Sequence, residues 1–147
     1  MSTFSHVGHC VQDLDAARAF YLDVLGFEEV MDMEISGSPS ATLLRLPEPL
    51  ALRAVYLRRD GFVLELLAFR EPEPGAARDR PIVEPGLTHL SFGVADLDEV
   101  CAAVIAHGGN VLAESRLPTA VFVTDPDGQM IELLAGDQFA RRLHGER

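Results

Sequence analysis

The sequence has few positive charges and few cysteines. Its 147 residues include 12 Lys and Arg against 23 Asp and Glu, which gives a net charge of −11 and a pI near 4.7. Nucleic acids and anionic membrane surfaces both attract cationic side chains, so this balance argues against either kind of partner. The two cysteines, Cys10 and Cys101, do not have the spacing of a metal or redox motif and are interpreted as ordinary thiols.

Long apolar runs are also missing. No stretch approaches the ~18 apolar residues that a membrane helix requires. The segment MSTFSHVGHCVQDLD lacks the basic region and apolar core of a signal peptide, so a cytoplasmic location is expected. With 48% hydrophobic and 24% charged residues, the composition is that of a soluble globular protein. The length suits one ordinary domain or two small fused modules.

The chain contains an internal repeat with two copies. The copies open with HVGHCVQDLD at residues 6–15 and HLSFGVADLD at residues 89–98. They close with DGFVLELLAF at residues 60–69 and DGQMIELLAG at residues 127–136. The opening segments lie 83 residues apart and the closing segments 67 apart, because the second copy is shorter in its middle.

Each copy predicts the element order βαβββ, which is an α+β fold. In the first copy a helix begins after the N-cap Asp13 and ends at Gly26; in the second a helix runs from Asp96 to about His107. Strands are predicted near residues 4–12, 27–46, 52–59 and 61–70, and then near 89–94, 110–116, 120–125 and 129–135. The predicted organisation is a module at 1–70, a proline-rich linker at 71–86, a module at 87–136 and a tail at 137–147.

Each closing strand places one carboxylate, Glu65 or Glu132, inside an apolar run. Burying an ionised carboxylate costs several kcal/mol unless something compensates it. By strand alternation, each glutamate shares a face with apolar residues that would form a pocket wall: Val63, Leu67 and Phe69 in the first copy, Met130 and Leu134 in the second. His9 lies in register with Phe92 and is interpreted as a packing residue facing the helix.

Two histidines accompany the two glutamates at repeated positions. If the copies pair about a pseudo-twofold axis, two imidazoles and two carboxylates converge on a divalent cation, which compensates both carboxylates. The predicted metal ligands are His6, Glu65, His89 and Glu132. The alternative is that each glutamate forms a structural salt bridge, for which Arg45, Arg53 and Arg116 are the candidate partners.

The paired modules, the H-V-G…V-x-D-L-D opening and the D-P-D-G…I-E-L-L ending resemble the vicinal oxygen chelate superfamily. This group includes glyoxalase I, methylmalonyl-CoA epimerase, extradiol dioxygenases and antibiotic-resistance proteins. The resemblance covers about residues 4–135. It implies two βαβββ modules that form a cupped mixed sheet, with the ligand positions on the two histidines and two glutamates named above.

The His-Glu-His-Glu set resembles glyoxalase I most closely and implies a metal-dependent lyase or isomerase. Such an enzyme abstracts the proton α to a metal-chelated carbonyl and passes through an enolate. Glu132 is the expected base. Epimerisation would need a second acid, which is Glu65 or Glu48; Glu48 is otherwise a turn carboxylate between two prolines. The resemblance implies one divalent ion, Ni, Co, Zn, Mn or Fe.

Two positions depart from bacterial glyoxalase I. Those enzymes hold the carboxylates of glutathione with an Arg four residues after the first His and an Asn four after the first Glu. Here the positions are Cys10 and Phe69, both poor partners for an anionic tripeptide, which argues against glutathione. Cys10 is a pocket-lining residue or, alternatively, a nucleophile. The expected substrate is a small α-keto hemithioacetal or acyl-CoA-like thioester.

Two other functions and the assembly stay open at this point. An extradiol-type dioxygenase would need Fe(II) or Mn(II), but a fourth protein ligand at Glu65 would occupy a position that dioxygen needs. A non-catalytic binding or resistance protein would use the same concavity without a metal. Members of the superfamily that the chain resembles are commonly homodimers, which implies a homodimer here. The metal site would form within one chain or between chains.

Overall fold

The first repeat folds as a four-stranded mixed sheet with helices. The computed structural model describes residues 1–78 and 80–145, and its first compact unit is Met1–Ala76. The strands of this unit are β1 (Val7–Val11), β2 (Glu28–Ser36), β3 (Ala51–Arg59) and β4 (Phe62–Glu71). Their order is β1-β4-β3-β2, with β1 parallel to β4 and the other pairs antiparallel.

Helix α1 (Leu14–Ala19) begins where the capping pattern predicts. The side chain of Asp13 accepts a hydrogen bond from the backbone N of Ala16 at 3.0 Å. The helix continues as a π-helical segment, Phe20–Val24, and the chain leaves it at Gly26, whose φ of +64° favours glycine. Ala17, Phe20 and Tyr21 are fully buried and form the apolar side of this segment.

A second helix in the first unit overturns part of the strand prediction. The expected strand over 27–46 is wrong beyond Ser36, because helix α2 occupies Ser38–Leu44. Gly37, with φ +84°, breaks the strand, and a proline at the first turn of the following segment suits a helix start. Ala41 of α2 packs with Leu50, Leu52 and Ala54, so this helix covers one end of a sheet face.

The second compact unit begins at Ala77 and repeats the strand plan. Its elements are β5 (His89–Val94), α3 (Leu97–Ala106), β6 (Asn110–Val111), β7 (Ala120–Thr124), β8 (Met130–Ala135) and α4 (Gln138–Leu143). The strand order is β5-β8-β7-β6, again with the first and last strands of the repeat parallel. Asp96 caps α3 by accepting from the backbone N of Asp98 and Glu99. The predicted α+β fold with mixed sheets is confirmed.

Smaller differences from the predicted boundaries concern strand and loop lengths. The strand expected over 110–116 is shortened, because a 3₁₀ turn at Ala113–Ser115 follows the two residues of β6. Asp60 and Gly61 form a tight hairpin turn between β3 and β4, with φ values of +49° and +77°. The turn between β7 and β8 is a longer loop, in which the side chain of Asp125 accepts hydrogen bonds from the backbone N of Asp127 and Gln129.

The predicted linker overlaps the boundary between the two units. Its first residue, Glu71, belongs to β4, and the division between units follows Ala76. Arg78 forms an ion pair with Glu84 at 2.7 Å in this segment. None of the helices within the two described ranges is long and apolar enough to span a membrane.

Candidate metal-binding residues

In the first unit, the predicted ligands His6 and Glu65 lie side by side. His6 immediately precedes β1, and Glu65 is in β4, in register with Gly8 of the parallel neighbour. Nε2 of His6 is 3.1 Å from Oε2 of Glu65. Glu65 is buried, with 8% of the whole residue exposed, so its charge requires a partner.

Tyr56 on β3 completes this group from the opposite side of Glu65. Its phenol donates a hydrogen bond to Oε1 of Glu65 at 2.5 Å, and its ring meets the ring of His6 edge-on, with centroids 5.4 Å apart. Burial raises the pKa of Tyr56 to about 12, and the hydrogen bond to Glu65 and the charge of that carboxylate add to the effect. The phenol is therefore a neutral donor at physiological pH.

In the second unit, His89 and Glu132 form the matching pair. Nε2 of His89 is 3.9 Å from Oε2 of Glu132. The hydroxyl of Ser91 donates to the same Oε2 at 2.6 Å, and Phe122 packs edge-on against His89 with ring centroids 5.3 Å apart. The Glu132 side chain is 27% exposed, compared with 11% for Glu65.

Both histidines are supported by the hydroxyl of the preceding residue. Nδ1 of His6 is 2.9 Å from Oγ of Ser5, and Nδ1 of His89 is 2.9 Å from Oγ1 of Thr88. When Nδ1 carries the proton and donates it to the hydroxyl, the Nε2 lone pair is left for a cation. This support of the outer ring nitrogen is typical of histidines that bind metals.

The donor atoms in each unit fit a divalent cation. Two ligands at ~2.1 Å from one ion are about 3.0 to 4.2 Å apart, depending on the angle between them. The N···O separations of 3.1 and 3.9 Å both lie in that range. Imidazole nitrogen with carboxylate oxygen is a ligand combination that borderline divalent ions accept.

Two of the arginines considered as salt-bridge partners bind other carboxylates. Arg53 donates to Asp32 through Nε at 2.8 Å and through its terminal nitrogen at 2.5 Å. Arg116 contacts Asp98 at 2.6 Å. Within the described residues, the charged-group contacts that the structure shows for Glu65 and Glu132 are to His6 and His89 and not to these two arginines.

The chain matches one known protein family over most of its length. The family model of the Glyoxalase/Bleomycin resistance protein/Dioxygenase superfamily matches residues 3–133. The chain belongs to this superfamily. The resemblance to vicinal oxygen chelate proteins that the repeat and its motifs indicated is confirmed.

Curated relatives in the glyoxalase superfamily include proteins named for lactoylglutathione lyase. The chain is 30% identical to "Lactoylglutathione lyase" of Haemophilus influenzae, over 84% of this chain and 85% of that protein. It is 30% identical to the uncharacterised protein YaeR of Escherichia coli, over 87% and 92% of the two chains. A 62-residue match to "Probable lactoylglutathione lyase" of Vibrio parahaemolyticus is 40% identical and spans 45% of that protein.

Solved structures of the glyoxalase superfamily share the fold. A glyoxalase family protein from Bacillus cereus aligns with a TM-score of 0.78 at 20% identity, over 92% of this chain and 94% of that one. Trypanothione-dependent glyoxalase I of Leishmania major gives 0.65 at 24% identity, over 95% and 91%. The fosfomycin resistance protein FosX of Listeria monocytogenes, solved with Mn(II) and sulfate, gives 0.60 at 21% identity, over 97% and 98%.

The remaining predicted site residues lie in different surroundings. Glu48 is exposed in the loop between α2 and β3. Cys10 is exposed on β1, in register with Leu67 of β4. Phe69 is partly buried against the cluster of Ala41, Leu50, Leu52 and Ala54, which makes it part of the packing beneath α2. His9 meets the ring of Tyr21 edge-on, as expected for a helix-facing residue.

The hydroxyl groups that support the ligands were not predicted from the sequence. Ser5 and Thr88 both precede a repeated histidine, so the repeat itself carries a signal for them. Tyr56 and Ser91 are harder to find, because each is matched by a residue without a hydroxyl, Phe122 and Gly8 respectively. Only the strand register brings these two hydroxyls to the carboxylates.

Proposed function

We propose that this chain is a divalent-metal-dependent lyase or isomerase that removes the proton α to a metal-chelated carbonyl. The observation that carries the proposal is the His–Glu pair in each unit, oriented by hydroxyls on both the imidazole and the carboxylate. The proposed ligands are His6, Glu65, His89 and Glu132, holding one ion per chain. Membership of the glyoxalase superfamily and the relatives named lactoylglutathione lyase support the same reaction class.

The proposed ion supplies the electrophile. A bound Ni, Co, Zn, Mn or Fe dication would polarise the substrate carbonyl and stabilise the enolate left by proton loss. Nε2 of His6 and His89 and the carboxylates of Glu65 and Glu132 would hold it. The hydroxyls of Ser5 and Thr88 would orient the two rings, and that of Tyr56 would orient the Glu65 carboxylate, before substrate arrives, which lowers the cost of reorganisation.

Glu132 is the proposed base. Its carboxylate is more accessible than that of Glu65, so a substrate proton can reach it more easily. Returning the proton to the neighbouring carbon gives isomerisation, and this is the outcome that one mobile carboxylate supports. Epimerisation would need a second acid, Glu65 or Glu48.

The proposed substrate is a small α-keto hemithioacetal or a related thioester with little charge beside the reacting carbon. Leu67 and Phe69 share the face of β4 that carries Glu65, and both pack against the apolar cluster beneath α2. Phe69 and Cys10 occupy the positions expected to hold the glutathione carboxylates. We therefore propose that a hemithioacetal of an uncharged thiol is accepted at least as well as one of glutathione.

Proton exchange in D₂O tests the reaction directly. Metal-loaded protein is incubated with methylglyoxal hemithioacetals of glutathione and of 2-mercaptoethanol, and with a branched acyl-CoA thioester, and α-deuteration is followed by NMR. We expect exchange with at least one hemithioacetal, and none in protein stripped by a chelator. Absence of exchange with every substrate at full metal occupancy would refute the proposed function.

A cytoplasmic homodimer is proposed for the assembly. The dimer is proposed because members of the superfamily are commonly homodimers, and sedimentation equilibrium measures it. Two chains of 16.0 kDa each are expected per particle. A particle of one chain at micromolar concentration would contradict the dimer without affecting the proposed chemistry.

A further inference from the structure

The two proposed carboxylate ligands receive their hydroxyl hydrogen bonds from opposite neighbours. Glu65 accepts from Tyr56, which lies on its antiparallel neighbour β3. Glu132 accepts from Ser91, which lies on its parallel neighbour β5. The two copies therefore differ in the position of the hydroxyl donor, although the histidines, the carboxylates and the aromatic rings beside the histidines recur in both.

The two carboxylates also differ in whether the oxygen that accepts from the hydroxyl is the one that faces the histidine. Tyr56 binds Oε1 of Glu65, and Oε2 of the same group faces His6. Ser91 binds Oε2 of Glu132, the oxygen from which the distance to His89 is measured. In Glu65, one carboxylate oxygen accepts from Tyr56 and the other faces His6. In Glu132, the oxygen that accepts from Ser91 is also the one that faces His89.

The two donors differ in stiffness as well. The phenol of Tyr56 is carried on a planar ring that is partly buried against the cluster beneath α2 and packed edge-on against His6. The hydroxyl of Ser91 rotates about one short bond on an exposed residue. A carboxylate anchored to the ring is held in place, whereas one anchored to the serine can turn and keep its hydrogen bond.

We propose that Tyr56 is a positioning residue that holds the Glu65 carboxylate in one geometry for the proposed metal ion. This assignment rests on the proposed metal-dependent function. It adds a residue that the repeat does not indicate, because Phe122 stands at the matching position of the second copy.

The test compares Tyr56→Phe with the wild-type chain, using Co²⁺ alone as the probe. The substitution removes the hydroxyl and keeps the ring against His6. We expect the dissociation constant of Co²⁺, measured by competition with a chromophoric chelator, to rise about 10- to 100-fold, the range typical of removing a hydrogen-bond partner of a metal ligand. The visible absorption of bound Co²⁺ should change as well, because Glu65 is no longer held in one geometry.

Ser91→Ala is the matched comparison, because it removes the hydroxyl from the other carboxylate. We expect its Co²⁺ dissociation constant to rise by less than that of Tyr56→Phe, because the rotating hydroxyl of Ser91 does not fix Glu132 in one position. The double variant Tyr56→Phe/Glu65→Ala tests whether Tyr56 acts through the Glu65 side chain. If it does, the Tyr56 substitution has no further effect on Co²⁺ affinity in the Glu65→Ala background, where no acceptor remains.

The outcomes distinguish this inference from the proposed function. A wild-type chain that binds no Co²⁺ refutes the function itself. A wild-type chain that binds Co²⁺, with Tyr56→Phe binding it equally well, refutes the role of Tyr56 alone. Equal losses from Tyr56→Phe in the wild-type and Glu65→Ala backgrounds also refute it, since the tyrosine would then act through the fold.

Discussion

Nε2 of His6 lies 3.1 Å from Oε2 of Glu65, although the two residues are 59 positions apart in the chain. The parallel pairing of β1 with β4 produces this contact, because it sets the first and last strands of the unit beside each other. The second unit repeats the pairing with β5 and β8. In each unit, a carboxylate that would be costly to bury alone therefore has an imidazole beside it.

The two glutamates are expected to respond differently to the same substitution. Glu65→Gln should weaken metal binding at least tenfold, because it removes an anchored ligand. Glu132→Gln should keep more of the metal affinity but lose about 100-fold or more of the α-proton exchange rate, which is the contribution of a general base. Chelator competition and NMR exchange measure the two effects on the same samples.

The opposite pattern would contradict these assignments. If Glu65→Gln abolishes exchange at full metal occupancy while Glu132→Gln leaves it intact, Glu65 is the base. Both variants should unfold at temperatures close to that of the metal-free wild-type chain, which thermal unfolding in a chelator checks.

The buried contact beneath α2 should be sensitive to charge. Ala41 is 2% exposed and packs against Leu50, Leu52 and Ala54. Ala41→Glu would place an unpaired carboxylate there and enlarge the side chain, so we expect a loss of about 2 kcal/mol or more in unfolding free energy. Urea denaturation measures it.

Leu43→Glu is the control for the Ala41 variant, because Leu43 lies on the same helix and is 82% exposed. A surface change of this kind should alter stability by no more than about 0.5 kcal/mol. Equal destabilisation by the two substitutions would show that helix propensity, and not the contact beneath α2, explains the loss.

The N-cap of α3 should contribute measurably to stability. Asp96 accepts from the backbone N of Asp98 at 2.8 Å and of Glu99 at 3.0 Å. Asp96→Ala removes both hydrogen bonds and should cost about 1 kcal/mol of unfolding free energy, whereas Asp96→Asn retains an acceptor and should cost less. Equal losses in the two variants would argue against capping as the cause.

The ion pair between Asp32 and Arg53 should make stability depend on pH. The hydrogen bond from Arg53 lowers the pKa of Asp32 below its ordinary value of 3.8, in spite of the opposing effect of burial. A group whose pKa is lower in the folded state stabilises the fold above the unfolded value, and this contribution is lost as the pH falls through the folded value. Asp32→Asn should therefore lower the melting temperature at pH 7, by roughly 1–3 °C for a partly exposed pair.

The difference between Asp32→Asn and the wild-type chain should shrink as the pH drops below 3.8. Glu28→Gln is the control on the same strand, since Glu28 is 77% exposed and 3.6 Å from Arg58. It should change the melting temperature little at either pH. A difference between Asp32→Asn and wild type that grows on acidification would contradict the assigned pKa direction.

The repeat made the fold and the paired positions predictable from the sequence. The repeat grouped His6 with Glu65 as candidate ligands, and strand alternation placed His9 toward the helix. In the structure His6 contacts Glu65, and His9 meets Tyr21 of the helical segment. The caps at Asp13 and Asp96 followed from side-chain chemistry next to a predicted helix start.

Helix α2 and the hydroxyl at Tyr56 could not be predicted in the same way. The seven residues of α2 have no counterpart in the second copy, and their short apolar run did not distinguish helix from strand. The contact of Tyr56 with Glu65 depends on the β3–β4 register, which a tight turn sets and which composition does not reveal. Long-range register is the information that local sequence patterns lack.

The metal content of protein purified without added metal, measured by mass spectrometry for wild type and for His6→Ala, tests the central claim most directly. The account predicts one divalent ion per wild-type chain and a large loss of that ion in His6→Ala. Wild-type protein without stoichiometric metal, and still unable to bind Co²⁺ or Zn²⁺ on addition, would contradict it and leave the two His–Glu contacts as ion pairs of the fold.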